Sequence, residues 1–105
     1  MNILLVCAGG ISTSILEKSI RNAMGPERSD WKVEAHAVDQ LEQLIDEYDI
    51  VFLGPQIRHK LRAVQKVCDQ KGKPCEVIDS RVYALANGEK LLARAIELVD
   101  KRDRR

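Results

Sequence analysis

Two short runs of consecutive apolar residues constrain this chain most: Ile3-Leu4-Leu5-Val6 and Ile50-Val51-Phe52-Leu53. A strand with one wet face alternates apolar and polar residues. An unbroken apolar run of four reads instead as a strand covered on both faces. Each run is followed by a helical pattern. Between and after them come a third strand-like segment, Lys32 to Ala37, with Val33, Ala35 and Ala37 alternating, and a fourth, Cys75 to Ile78. The order is β-α-β-α-β-α-β-α. Crossover helices force parallel pairing, and right-handed crossovers put helices on both faces of the sheet. The expected fold is a small doubly wound α/β domain on a four-stranded parallel sheet, with Lys32 to Ala37 as an edge strand. In such sheets ligands bind beyond the carboxyl ends of the strands, where strand order reverses. The loops after the first, third and fourth strands are therefore where chemistry is expected.

The helices are punctuated by turn residues. Ser12 to about Met24 carries Ile15, Leu16, Ile20, Ala23 and Met24 on one stripe and stops at Gly25-Pro26. Leu41, Leu44 and Ile45 mark a short second helix. Ile57 to about Gln70 places Leu61, Val64, Val67 and Cys68 inward, and ends at Lys71-Gly72-Lys73-Pro74. Asp79 to Asn87 reads as a loop with one helical turn. Gly88 opens a last helix with Leu91, Leu92, Ala95, Ile96 and Val99 inward, and Lys101 to Arg105 is expected to fray. Trp31 and Phe52 read as boundary or core aromatics.

At 105 residues the chain is expected to form one domain, residues 1–105. Seventeen Lys and Arg against sixteen Asp and Glu leave a net charge of +1, so no electrostatic footprint for nucleic acid is present. No apolar stretch approaches the ~20 residues of a spanning helix, and no basic leader precedes Ile3, so neither membrane insertion nor a secretory signal is expected. Three cysteines, Cys7, Cys68 and Cys75, form no C-x-x-C pair and suit a reducing, cytoplasmic setting. With His36 and His59 isolated, they lack metal-ligand spacing, so no metal is expected. No other cofactor is expected either.

The segment Cys7-Ala8-Gly9-Gly10-Ile11-Ser12-Thr13-Ser14 joins the first buried strand to an amphipathic helix. Two glycines let the backbone curl, and such a curl can turn successive N–H groups inward around an anion. The helix start adds unpaired N–H donors and a positive dipole end, and three hydroxyls add further donors. Ser14-x-x-Glu17 fits a capping box, with Ser12 as the alternative cap. Cys7, at the strand end, faces this cradle, where a thiol is expected to ionise more readily. A nucleophile beside an anion cradle is what phosphoryl transfer asks of a protein. The plainer alternative makes Cys7 a small buried hydrophobe and the glycines a tight turn. A dinucleotide loop is excluded by the absence of G-x-G-x-x-G.

This loop resembles the active-site loop of the enzyme IIB component of the bacterial phosphoenolpyruvate-dependent sugar phosphotransferase system, lactose/cellobiose/chitobiose type. The resemblance continues at Leu53-Gly54-Pro55-Gln56-Ile57 and at Val77-Ile78-Asp79-Ser80 with Tyr83. It covers essentially the whole chain. It implies a fold similar to low-molecular-weight tyrosine phosphatase. It implies that Cys7 accepts a phosphoryl group from a phosphohistidine on enzyme IIA and passes it to a disaccharide imported through the membrane subunit IIC. Ala8, Gly9, Gly10, Ile11, Ser12, Thr13 and Ser14 would then cradle the phosphate. The rival is a phosphatase or arsenate reductase of similar fold, whose loop reads C-x-x-x-x-x-R. Here Thr13 stands where that Arg would clamp the phosphate for hydrolytic transfer. Asp79 is followed by Ser80 rather than Pro, so the rival's general acid is missing as well. A non-catalytic anion-binding module is the third reading, and it would not need Cys7.

Gln56, Ile57, Asp79 and Tyr83 are candidates for the rim of the Cys7 pocket or for partner contact, with Ile11 and Ile57 as exposed apolar contacts. Asp79 has a structural alternative as the cap of the following turn. Arg58, His59, Lys60 and Arg62 form either a solvated helix face or a surface for acidic groups of a donor protein. His36 is expected on the wetter face of its strand. Cys68 and Cys75 read as a helix-core and a strand-start residue rather than a reductase relay. A monomer with weak, transient partners is expected. The transported sugar is not encoded in these residues.

Overall fold

The structure, a computed structural model, describes residues 1–8 and 13–104. Four strands, β1 (Asn2–Cys7), β2 (Lys32–Ala37), β3 (Ile50–Leu53) and β4 (Cys75–Val77), form one sheet, parallel throughout, in the order β2-β1-β3-β4. The helices are α1 (Thr13–Met24), α2 (Leu41–Leu44), α3 (Leu61–Gln70), α4 (Ser80–Ala84) and α5 (Gly88–Asp103). Tighter 3₁₀ turns flank α2 on both sides, and another, Pro55–Lys60, leads into α3.

Two cores follow from the two-residue period of a strand. Ile3 and Leu5 of β1, with Ile50 and Phe52 of β3, face α1 and α5, where Leu16, Ile20, Leu91, Leu92 and Ala95 cover them. Leu4 and Val6, with Val51 and Leu53, face the other way onto Leu41, Ile45, Tyr48, Val64 and Cys68. This is why both runs are apolar at every position. Crossover handedness explains the sorting: β1 to β2 moves one way along the sheet, and β2 to β3 and β3 to β4 move the other way. Phe52 is wholly buried and Trp31 is a boundary residue, with the Arg28 guanidinium 5.2 Å from its ring centre.

Edge strand β2 is covered by α1. The Ala35 N–H donates to Glu17 (2.9 Å), and the Arg21 guanidinium donates to the Val33 carbonyl (3.1 Å) and to Glu17. A charged pair thereby occupies an edge that another strand could otherwise join. Glu17 is thus used on β2. Because α1 begins at Thr13, Ser14 lies inside its first turn, and the cap position Ser12 is outside the described residues.

Several expected boundaries shift. Ile15, expected on the buried stripe, is 68% exposed, because its neighbour Leu16 takes the inward position. The third helix starts at Leu61, not Ile57, because Ile57 has non-helical angles (φ −115°, ψ 24°) within the 3₁₀ turn. β4 ends at Val77, although the Ile78 N–H still donates to the Leu53 carbonyl at 2.8 Å. The charged tail does not fray before Asp103. Arg102 donates to the Asp49 carbonyl (3.1 Å), and Asp49 in turn accepts from the Asn2 N–H (2.8 Å), tying α5 to the starts of β1 and β3.

Gly88 marks the closest approach of α1 and α5. A Cβ there would lie 2.3 Å from the Ser19 carbonyl carbon and 2.5 Å from the Ile20 nitrogen. The missing side chain lets the Gly88 N–H donate to Ser19 Oγ at 3.0 Å.

Candidate active site

Cys7 is the last residue of β1. On one side it pairs with Ala37 of β2; on the other the β1–β3 ladder has already ended at Val6 and Leu53. The Gly54 N–H donates to the Val6 carbonyl (2.9 Å) as the chain leaves the sheet. The β1–β3 ladder therefore ends just before Cys7. This is also where the topology reverses, since β2 lies on one side of β1 and β3 and β4 on the other. Strand alternation carries Cys7, like Ile3 and Leu5, to the α1 side of the sheet. Its residue is 8% exposed, and its thiol donates to the His36 carbonyl at 3.7 Å. That partner is backbone, and residue identity at position 36 could not have announced it.

Of the expected cradle, Ala8 is exposed and Thr13 and Ser14 open α1. Gly9, Gly10, Ile11 and Ser12 lie outside the described residues. α1 is the next element after β1 in the chain, so its N-terminus, with the positive end of the helix dipole, belongs to the same end of the sheet as Cys7.

Gln56 and Tyr83 converge on the same corner. A Cβ at Gly54 would stand 3.0 Å from Gln56 Oε1, 3.9 Å from Tyr83 Cε2 and 3.8 Å from the Val6 carbonyl oxygen. Glycine at 54 thus leaves the space in which side chains from the third and fourth loops approach the end of β1. Tyr83 also packs against the core on the α1 face, while Gln56 is exposed.

Ile57 corrects one expectation. It was to be an exposed contact, but it is 3% exposed and packs with Leu4, Val6 and Leu53. Its non-helical backbone angles go with a side chain inside the core. Among the described residues, Ile15 in the first turn of α1 is an exposed large apolar side chain.

Asp79 follows its structural alternative. Its carboxylate accepts from the Arg81 N–H (2.9 Å) and the Val82 N–H (3.1 Å), capping α4. Those two bonds, Val82 first, hold its pKa below the ordinary aspartate value. The cap in turn presents Tyr83, whose N–H donates to the Asp79 carbonyl at 2.9 Å. Arg58, His59 and Lys60 lie in the 3₁₀ turn and Arg62 in the first turn of α3; all four are exposed, as a solvated face would be. His36 sits half-buried beside Glu34, its ring 3.5 Å from the carboxylate. Among the described residues, no three His, Cys, Asp or Glu side chains are grouped to hold a metal ion, and no helix is long and apolar enough to cross a membrane.

Known proteins share this arrangement. Residues 2–94 match the family model for the lactose/cellobiose-specific IIB subunit of the phosphotransferase system. The oligo-β-mannoside-specific EIIB component of Bacillus subtilis is 34% identical over 100 residues, covering 92% of this chain and 94% of that protein. The cellobiose-specific EIIB component of Lactococcus lactis subsp. lactis is 29% identical over 103 residues, covering 93% and 95%. The solution structure of a cellobiose-specific IIB component from Borrelia burgdorferi superposes with a TM-score of 0.81 at 36% identity, over 97% of this chain and 94% of that one. The lactose-specific IIB domain of Streptococcus pneumoniae shares the fold, with a TM-score of 0.82 at 19% identity, over 93% and 96%. With the match running through β1 and the loops after β1, β3 and β4, the chain belongs to the lactose/cellobiose-specific IIB family and is a phosphotransferase of sugar uptake.

Proposed function

We propose that Cys7 is the residue that carries the phosphoryl group. The observation that supports this most is its position at the end of β1, where the β1–β3 ladder stops and the strand order reverses. The Cys7 thiolate attacks phosphorus in line. The S–P bond forms as the P–N bond of a phosphohistidine on enzyme IIA breaks, and the imidazole leaves and takes up a proton. The segment Ala8 to Ser14 holds the three equatorial oxygens with N–H groups and hydroxyls, aided by the dipole at the start of α1. A sugar hydroxyl then attacks phosphorus, its proton is released, and the Cys7 thiolate departs unchanged. Thr13, in place of a guanidinium, leaves the thiophosphate without the clamp that would hasten its hydrolysis.

The acceptor is a disaccharide of the cellobiose, chitobiose or lactose type, delivered by a membrane subunit IIC at the cytoplasmic face. The name of the cellobiose-specific relative supports that class. Residues 1–105 act as a single, monomeric IIB domain. Gln56 and Tyr83 form the rim of the Cys7 pocket, and Ile15 is the apolar contact for both partners. Two proteins must use this surface in turn, so each complex is small and short-lived.

The test is incubation with phosphorylated enzyme IIA, followed by intact mass and peptide mapping. One phosphoryl group on the Cys7 peptide, absent in Cys7→Ser and slow to pass to water, is the expected result. Rapid turnover of a phosphotyrosine mimic, or an adduct that survives in Cys7→Ser, would overturn the assignment.

A further inference from the structure

Asp79 stands between the end of the sheet and the side chain that closes the corner beside Cys7. The Ile78 N–H donates to the Leu53 carbonyl (2.8 Å), the last rung between β3 and the chain leaving β4. The next residue, Asp79, serves α4 with both side chain and backbone. Its Oδ1 accepts from the Arg81 and Val82 N–H groups (2.9 and 3.1 Å), and its carbonyl accepts from the Tyr83 N–H (2.9 Å). α4 has five residues, none of them fully buried. Val82 and Tyr83 pack only partly on the α1 face of the core. A single turn gains little from burial and nothing from length, so its start depends on the cap. Its far end is held by the Leu85, Ala86 and Asn87 N–H groups, which donate to the Arg81, Tyr83 and Val82 carbonyls (3.0, 3.1 and 2.9 Å). Tyr83 lies between these two anchors. Its Cε2 is 3.9 Å from where a Gly54 Cβ would stand, and the Gly54 N–H donates to the Val6 carbonyl, one residue before Cys7.

Building on the reading that Cys7 carries the phosphoryl group and Tyr83 borders it, we propose that Asp79 is a positioning residue for phosphoryl transfer. It holds α4 so that Tyr83 meets the phosphodonor at the Cys7 end of the sheet, and its carboxylate exchanges no proton with the reacting groups. The Val82 and Arg81 N–H groups favour the ionised carboxylate and hold its pKa below the ordinary aspartate value, whereas a general acid at neutral pH needs the reverse. Both donors meet the same oxygen. Asparagine offers that oxygen without the charge and caps about as well as aspartate, while alanine offers no acceptor. Losing such a cap shifts the local equilibrium between ordered and frayed α4 by about fivefold. Chains with α4 frayed must reorder it on meeting the donor, which weakens apparent binding by the fraction that is competent.

The experiment compares the full wild-type chain with Asp79→Asn, Asp79→Ala, Tyr83→Ala and the double variant Asp79→Ala/Tyr83→Ala. Single-turnover phosphoryl transfer from phosphorylated enzyme IIA is followed as donor concentration rises, at a temperature where circular dichroism shows each variant folded. For Asp79→Ala the half-saturating donor concentration should rise roughly two- to fivefold, with the saturating rate and its pH profile unchanged. Asp79→Asn should match wild type. On the Tyr83→Ala background Asp79→Ala should cost nothing further, because its effect passes through Tyr83. Asp79→Asn as impaired as Asp79→Ala, Asp79→Ala equal to wild type, or losses that add across the cycle would each overturn the proposal. Tyr83→Ala equal to wild type would overturn the rim reading and the proposal with it, while phosphorylation of Cys7, read by intact mass on the same samples, reports on the carrier reading alone. If Tyr83→Ala does not fold, the Tyr83 ring resonances decide. They should shift in Asp79→Ala and keep their wild-type positions in Asp79→Asn; resonances unmoved in both would overturn the proposal.

Discussion

Replacing Gly88 by alanine tests the contact on which the α1–α5 layer depends. The new Cβ would meet the Ser19 carbonyl carbon at 2.3 Å and the Ser19 oxygen and Ile20 nitrogen at 2.5 Å. That is about 1 Å short of the ~3.5 Å at which carbon atoms rest together. All three atoms are backbone, so no side-chain rotation relieves the clash and the helices must part. Leu16, Ile20 and Met24 then loosen from Leu91, Leu92, Ala95 and Val99. Overpacking of this kind costs about 1–3 kcal/mol. The lost bond from the Gly88 N–H to Ser19 Oγ adds roughly 1 kcal/mol, only partly offset by the better helix propensity of alanine. The expected net loss is about 3 kcal/mol, a fall in Tm of roughly 12–24 °C for a domain of this size. Gly72→Ala is the control. Its Cβ meets nothing within 4 Å, but its φ of +67° costs an alanine about 1–2 kcal/mol. Urea melts of both variants compare space against conformation. If Gly88→Ala loses no more stability than Gly72→Ala, the close-approach argument is wrong.

Other outcomes follow from the same structure. Cys7→Ser should abolish phosphoryl acceptance while shifting the urea midpoint little, since the two side chains differ by one atom at a site on the rim of the core. Phe52→Ala removes a wholly buried ring between β3 and the α1–α5 layer and should cost about 3–5 kcal/mol by chemical denaturation. The Tyr48 hydroxyl, which donates to Glu34, is the main cause holding the Glu34 carboxyl below 4.5, with His36 and Lys32 adding to it against the effect of burial. The stabilisation is complete above the unfolded pKa and is lost as pH falls through the lower folded value, so Glu34→Gln should flatten the stability profile on the acid side of the ordinary glutamate pKa. Asp79→Ala should free the Arg81 and Val82 amides of α4, read as faster hydrogen exchange at those two positions.

Much of the fold was legible because burial on two faces leaves a mark in composition. Ile3 to Val6 and Ile50 to Leu53 could be assigned as covered strands without knowing what covered them, and the crossover rule then limited the topology. Glycine and proline at Gly25-Pro26, Gly54-Pro55 and Lys71 to Pro74 marked the breaks. The register of apolar residues near helix ends was less legible. Ile15 and Ile57 look equivalent in sequence, yet one is exposed and the other buried, because a 3₁₀ turn rotates Ile57 inward while α1 has already turned Leu16 to the core. Asp79 was legible as either cap or rim, and its hydrogen bonds decide for the cap.

By itself the sequence determined the parallel α/β architecture, the loop that holds Cys7 and the family, since periodicity and local motif are properties of neighbouring residues. Only the tertiary structure decided that β1 lies between β2 and β3, so that the β1–β3 ladder ends beside Cys7 at the point where strand order reverses. Only it decided that Glu17 and Arg21 cover the β2 edge and that Gly88 meets Ser19. These are contacts between residues whose separation along the chain carries no local signal; they exist because packing two helical layers on one sheet brings distant backbone and side-chain atoms to within bonding distance.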